Sequence, residues 1–273
     1  MITKNAFLNE LILLFLILIV IHISIKSICK KQNNLLIEAF NIIKLKDIEK
    51  PNMSLLRIKG YDENKIYEFR NFLKKSECKD IIKFSKSKVE DSMVVCKDGK
   101  DCLDDYRNSK STFIKDNDLY VADLISKKLE KLLGINKNNF EELQVVYYKP
   151  GKQYKEHWDA CISEDVKDCD NFVEKAGQRY ATFLIYLNDV LEGGETCFPK
   201  LDKDNNIINE SDKQLCTNPH TKKIKPEQGK GILFFNLEKN GIEHKDIAMH
   251  AGLPPIKGEK WLCNKWIRTR SLI

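Results

Sequence analysis

The sequence predicts a mainly β domain with flanking helices (α+β), a sandwich or barrel preceded by an N-terminal transmembrane helix. Three observations carry this. An uncharged run, LILLFLILIVIHISI, extends from Leu11 to Ile25. Two stretches with helical apolar spacing follow, around Ile81 and Ile125. From Leu143 to Thr269 the apolar clusters are short, β-rich and bounded by Gly, Pro or polar turns. Many short strands joined by turns and polar loops suit a sandwich or barrel. The 273 residues leave room for one such domain plus an appendage.

With Ala6-Phe7-Leu8 before it and Ile28-Cys29 after it, the first run approaches the ~20 residues that cross a bilayer. A retained anchor, a cleaved signal peptide and a buried core helix compete for it. A core helix is rarely apolar on every side. A cleavable signal would show a basic start and a small-x-small site, whereas Glu10 partly offsets Lys4 and Ser24-Ile25-Lys26-Ser27 is a poor cleavage context. The anchor is favoured, giving a membrane segment over 1–31, a linker or stalk over 32–58 interrupted by Pro51, and a folded domain over 59–273.

Tyr67–Leu73 reads as a strand leading into a helix that runs from near Ser76 through Ile81, Ile82 and Phe84. A second helix carries the stripe Leu119, Ala122, Ile125, Leu129 and Leu132, with Asp116 or Asn117 as its cap and Gly134 as its end. Both helices are supports rather than sites. Leu143–Tyr148 is a strand stopped by Pro150-Gly151. Gln153–Asp159 follows, then a polar insertion over Cys161–Gln178. Arg179–Leu187 is a strand with apolar residues on both faces. Gly193-Gly194 is a turn, Glu195–Pro199 is extended again, and 200–228 is expected to be a long loop. Gly231–Phe235, Ile247–His250 and Trp261–Thr269 complete the strands.

The net charge of +6 is modest, and lysines alternate with acids along most of the chain. That is a solvated surface, and no nucleic-acid partner is expected. Eight of the nine cysteines follow the anchor, and the absence of a C-x-x-C pair makes a structural zinc site a poor reading. Cys96 with Cys102, and Cys161 with Cys169, are near enough in sequence to close loops in an oxidising compartment.

Chemistry concentrates in His157-Trp158-Asp159, in His250 and in Lys260. Residues i and i+2 of a strand share a face, so His157 and Asp159 can address one metal while Trp158 faces away. His250, 93 residues later, can supply the third ligand. Two imidazoles and a carboxylate with open positions are the ligand set of non-haem Fe(II) oxygenases. An H-x-D tripeptide alone is common by chance, but two of only five histidines lie in patterned positions. Lys260, ten residues after His250 in Gly258-Glu259-Lys260-Trp261, is placed to neutralise the far carboxylate of 2-oxoglutarate. Tyr148 and Thr182 can add hydroxyl contacts to that carboxylate, or can simply pack.

The blocks LQVVYYKPGKQYKEHWD, RYATFLIYLNDVLEGGETCFP, GKGILF and MHAGLPPIKGEKWLCNKWIR, in order from 143 to 270, resemble the catalytic domain of the prolyl 4-hydroxylase family. The resemblance implies a double-stranded β-helix, or jelly roll, flanked by helices. It implies Fe(II) at His157, Asp159 and His250, 2-oxoglutarate at Lys260, and L-ascorbate as the reductant. It also implies peptide substrate beside Tyr154, Arg179 and Trp266. Tyr106-Arg107-Asn108-Ser109 resembles, more loosely, an R-x-S segment on the substrate side. The implied activity is hydroxylation of peptidyl proline at C4 with O2 and 2-oxoglutarate, releasing succinate and CO2. A collagen-like or hydroxyproline-rich protein is the implied substrate. Two departures stand out: Leu253 occupies a position where many relatives carry cysteine, and no separate peptide-binding domain is apparent. Anchor, stalk and catalytic domain together resemble the short membrane-bound members.

Two alternatives remain open. One is a related lysyl or prolyl 3-hydroxylase, against which Lys260 leans because lysyl enzymes typically present Arg there. The other is a membrane-anchored binding module of the same fold without catalysis. The location expected is the endoplasmic reticulum membrane with a lumenal catalytic domain. The residues conflict on this: lysines after the span favour a cytosolic side, whereas the Asn52-Met53-Ser54 and Asn209-Glu210-Ser211 sequons suit the lumen.

Overall fold

A computed structural model describes residues 58, 60–95, 101–102, 106–161, 169, 173–174, 176–208 and 216–272. The expected anchor, most of the stalk, both sequons and Cys96 lie outside these residues. Among the described residues, no helix is long and apolar enough to cross a membrane.

The strands are β1 (Tyr67–Phe69), β2 (Glu90–Asp91), β3 (Val94–Val95), β4 (Asp101–Cys102), β5 (Lys110–Ile114), β6 (Leu143–Tyr148), β7 (Tyr154–His157) and β8 (Arg179–Tyr186). They continue as β9 (Glu192–Gly193), β10 (Thr196–Asp202), β11 (Thr221–Ile224), β12 (Gly231–Phe235), β13 (His250–Gly252), β14 (Pro255–Lys257) and β15 (Lys260–Arg268). The helices are α1 (Lys75–Ser85) and α2 (Tyr120–Leu133). A seven-stranded sheet runs β1-β12-β8-β15-β6-β5-β2 and a four-stranded sheet runs β11-β10-β13-β7. This is the mainly β architecture that the sequence predicts.

Alternation along the central strands sorts the core into two layers. Ala181, Phe183 and Ile185 of β8 pack with Trp261, Cys263 and Ile267 of β15 against Ile81 of α1 and Ile125 and Leu129 of α2. Their neighbours Leu184, Tyr186 and Leu262 face the other way, onto Phe198, Leu201 and Ile224 of the smaller sheet. A strand covered on both faces has no solvent side, which is why β8 reads as apolar throughout. The site lies in the inter-sheet layer.

Several expectations need correction. Tyr67–Leu73 shrinks to three residues of strand before a turn. Leu119, not Asp116 or Asn117, occupies the N-cap position of α2, with no side-chain cap bond, and the Asp116 carboxylate pairs instead with the buried Lys265 ammonium at 2.9 Å. Gly134 ends α2 in the left-handed conformation, as expected. The stretch 200–228 is not all loop: β10 continues to Asp202, and β11 pairs with it. Its strand signal is masked by Lys222, whose stem is buried while its ammonium donates to Lys203 O. Ile247–His250 is a 3-10 turn over Asp246–Ala248, and His250 begins a strand rather than ending one. Cys161 and Cys169 are bridged as expected, and a Cys197–Cys216 disulfide joins β10 to the segment before β11.

Candidate active site

Strands β7 and β13 are neighbours in the smaller sheet, and their register sets His157 opposite His250. Directly opposed residues share a face, so imidazoles far apart in sequence stand with ring centroids 4.3 Å apart. Asp159 reaches them differently from expectation. β7 ends at His157, and Asp159 lies in the bend beyond it rather than on the strand. Trp158 anchors that bend by donating its indole N–H to Lys245 O at 3.1 Å.

His157 Nδ1 lies 2.7 Å from Lys155 O, and His250 Nδ1 lies 2.9 Å from Ala248 O. A carbonyl only accepts, so each ring carries its proton on Nδ1 and turns a bare Nε2 inward. These Nε2 atoms are 3.9 and 3.8 Å from the Asp159 carboxylate oxygens. Candidate ligand atoms of all three residues lie within 4.8 Å of one another. Burial, and then His250, hold the His157 imidazole well below its usual range. Burial works to raise Asp159, but its neighbours His250, His157 and Arg179 and the Thr182 hydroxyl together outweigh it and bring the carboxyl down to about 2. Neutral imidazole and ionised carboxylate are the forms that ligate a divalent metal.

The triad opens on a cavity of about 210 Å³ whose wall includes Tyr148, Gly252, Thr196 and Leu184. Behind Tyr148 and Gly252 sits Lys260, 0% exposed, its Nζ without a hydrogen-bond partner. It lies 5.1 Å from the Tyr148 ring and 5.9 Å from the Tyr186 ring. Burial lowers this ammonium to about 7. A buried cation without a counter-ion is costly unless an anion completes it. Gly252 keeps that space open: a Cβ there would stand 3.1 Å from the Tyr148 hydroxyl and 3.8 Å from Lys260 Nζ. The donor set fits a ferrous ion, and the ammonium behind Gly252 fits the distal carboxylate of a 2-oxo acid.

Tyr148 flanks Lys260 as expected, but Thr182 does not. Its hydroxyl donates to Asp159 Oδ2 at 2.6 Å, so it supports the triad rather than the oxo-acid end. In the cavity wall, Tyr154 stacks on His157 with ring centroids 3.5 Å apart, and Arg107 lies over Tyr154. Arg179 stacks on Trp266 at 3.4 Å while Glu141 grips it through both carboxylate oxygens. Glu141 also accepts from Arg268 Nε at 2.6 Å. Sequence reasoning missed Glu141, a lone acid among many.

Residues 143–268 match the family described as the 2OG-Fe(II) oxygenase superfamily. Fold, triad and family match define a dioxygenase that uses Fe(II) and 2-oxoglutarate. Prolyl 4-hydroxylase 2 of Arabidopsis thaliana is 33% identical over 209 residues, covering 75% of this chain and 67% of that protein. A protein of Acanthamoeba polyphaga mimivirus, provisionally assigned the same activity, is 32% identical over 207 residues, covering 76% of this chain and 75% of its own. The solved viral collagen prolyl hydroxylase of Paramecium bursaria Chlorella virus-1, in its 2OG complex, is 30% identical with a TM-score of 0.54. That match spans 74% of this chain and 95% of the viral chain. This chain belongs to the prolyl 4-hydroxylase family.

Proposed function

We propose that this enzyme hydroxylates peptidyl proline at C4 in a collagen-like or hydroxyproline-rich protein, converting 2-oxoglutarate and O2 to succinate and CO2. The observation that carries the proposal is the pairing of the His157–Asp159–His250 triad with a Lys260 ammonium buried without a hydrogen-bond partner. His157, Asp159 and His250 would hold Fe(II), and Lys260 with the Tyr148 hydroxyl would hold the distal carboxylate of 2-oxoglutarate. Bound iron supplies the activation of dioxygen that no side chain can perform. The chain's own part is to orient its partners and exclude water. Tyr154, Arg179 and Trp266 give the cavity an aromatic and cationic wall, suited to a peptide backbone and a proline ring. L-ascorbate would serve as reductant for iron oxidised off cycle.

The same reading takes 1–31 as a membrane anchor, 32–58 as a stalk, and the endoplasmic reticulum lumen as the side of the catalytic domain. The Cys161–Cys169 and Cys197–Cys216 disulfides support an oxidising compartment. The deciding experiment offers the full chain a (Pro-Pro-Gly) repeat and a Ser-Pro repeat side by side, with Fe(II), 2-oxoglutarate and ascorbate. Succinate release matched by oxygen on proline C4 is expected. Oxygen on proline C3, no peptide-dependent turnover, or oxygen on lysine when a Lys-containing peptide is offered as a third substrate, would overturn the reading.

A further inference from the structure

Asn236 follows β12 directly and is fully buried. Its Nδ2 donates to Thr182 Oγ1 at 2.9 Å, and Thr182 Oγ1 lies 2.6 Å from Asp159 Oδ2. An ionised carboxylate only accepts, so the threonine proton lies on the line to Asp159. With its proton so placed, the hydroxyl can meet Asn236 only as an acceptor. The amide must therefore turn Nδ2 toward Thr182, since the reverse orientation would set two acceptors competing for one proton. This orientation leaves Asn236 Oδ1 buried without a hydrogen-bond partner. A flip would not relieve that atom without drawing the proton from Asp159.

The backbone of Asn236 reaches the same segment by a second route. Its carbonyl accepts from Lys245 N at 2.8 Å, and Lys245 O accepts from Trp158 Nε1 at 3.1 Å. Its own N–H is fixed to Tyr180 O at 2.8 Å, on the strand that carries Thr182. Asn236 thus ties β8 to the bend at residues 158 and 159.

We propose that Asn236 is a positioning residue of the metal site, fixing through the Thr182 hydroxyl the orientation of the Asp159 carboxylate and so the affinity of the triad for a divalent metal. This rests on the reading of His157, Asp159 and His250 as metal ligands. Partners that orient ligands in this way typically carry about 10- to 100-fold in metal affinity.

The test is a mutant cycle on the full chain, with Mn(II) as probe and binding followed by loss of the free-ion electron paramagnetic resonance signal. T182V should weaken Mn(II) binding about 10- to 100-fold and T182S should restore it to within about twofold of wild type. N236L, which keeps the branching of the native side chain, should weaken binding about tenfold and add nothing in the T182V background. Unfolding midpoints of the metal-free variants register general loosening. Should N236L fail to fold, N236A enters the same cycle. Wild-type Mn(II) affinity in the Asn236 variants, or an equal loss with and without the Thr182 hydroxyl, would overturn the proposal. A wild-type chain that binds no Mn(II) would overturn the metal-site reading and this inference with it. A failed proline assay beside an intact cycle would count against the substrate alone.

Discussion

The triad and the Lys260 pocket beside it are the two ends of the site, built on opposite terms. At the triad the atoms turned away from the metal position are matched within the protein: the imidazole Nδ1 atoms by Lys155 and Ala248 carbonyls, and Asp159 Oδ2 by Thr182. At the other end Lys260 is equally buried, yet its ammonium meets no acceptor. A matched end is organised before its ligand arrives, whereas an unmatched cation is completed by the ligand. On the proposed reading, the first end would govern whether the metal binds and the second which organic acid follows it.

Breaking the matched end should cost most. H157A or D159A should reduce 2-oxoglutarate turnover to background and abolish Mn(II) binding; near-normal succinate release from either variant would defeat the ligand assignment. At the unmatched end, K260A should raise the KM for 2-oxoglutarate about 100-fold, since truncating one side of a buried charge pair costs ~3 kcal/mol. Its Mn(II) affinity should stay within about twofold of wild type, as the two ends are separately supported.

Acidity sharpens the contrast further. Burial brings Lys260 to about 7 in the ligand-free protein, while a bound carboxylate requires the charged form. Binding above that pH must take up a proton, so 2-oxoglutarate affinity should fall by up to about tenfold per pH unit. A titration series at several pH values checks the slope, which K260R should abolish because guanidinium stays charged. The same depressed pKa means that the unfolded chain holds more protons than the fold between about 7 and 10.5. The ligand-free fold should therefore gain stability as pH rises through that window. The smallest effect is expected from G252A, whose added Cβ crowds Tyr148 and Lys260. About 1 kcal/mol of overpacking would raise the KM for 2-oxoglutarate roughly fivefold and leave metal affinity unchanged.

What the sequence shows, and what it hides, follows from range. Residue type and local period are enough for the helix around Ile125, for β6, β8 and β12, and for singling out His157, Asp159 and His250, which the fold gathers into one cluster. The register was not legible. That His157 faces His250 is a property of β7 pairing with β13, and no local pattern encodes it. Strand alternation does not account for Asp159, since a bend held by Trp158 and Thr182 delivers it to the two imidazoles. Thr182 was assigned to the wrong end because a strand hydroxyl announces its face and not its partner. Asn236 and Glu141 gave no signal at all: one polar residue beside a strand acquires meaning only when the tertiary neighbours are known.

The most direct measurement is calorimetric titration of 2-oxoglutarate into the full chain under anaerobic conditions, with and without Mn(II), for wild type and K260A. Binding that requires the metal, occurs at one site per chain and weakens about 100-fold in K260A is the predicted result. Metal-independent binding, or a K260A titration that overlays wild type, would contradict it.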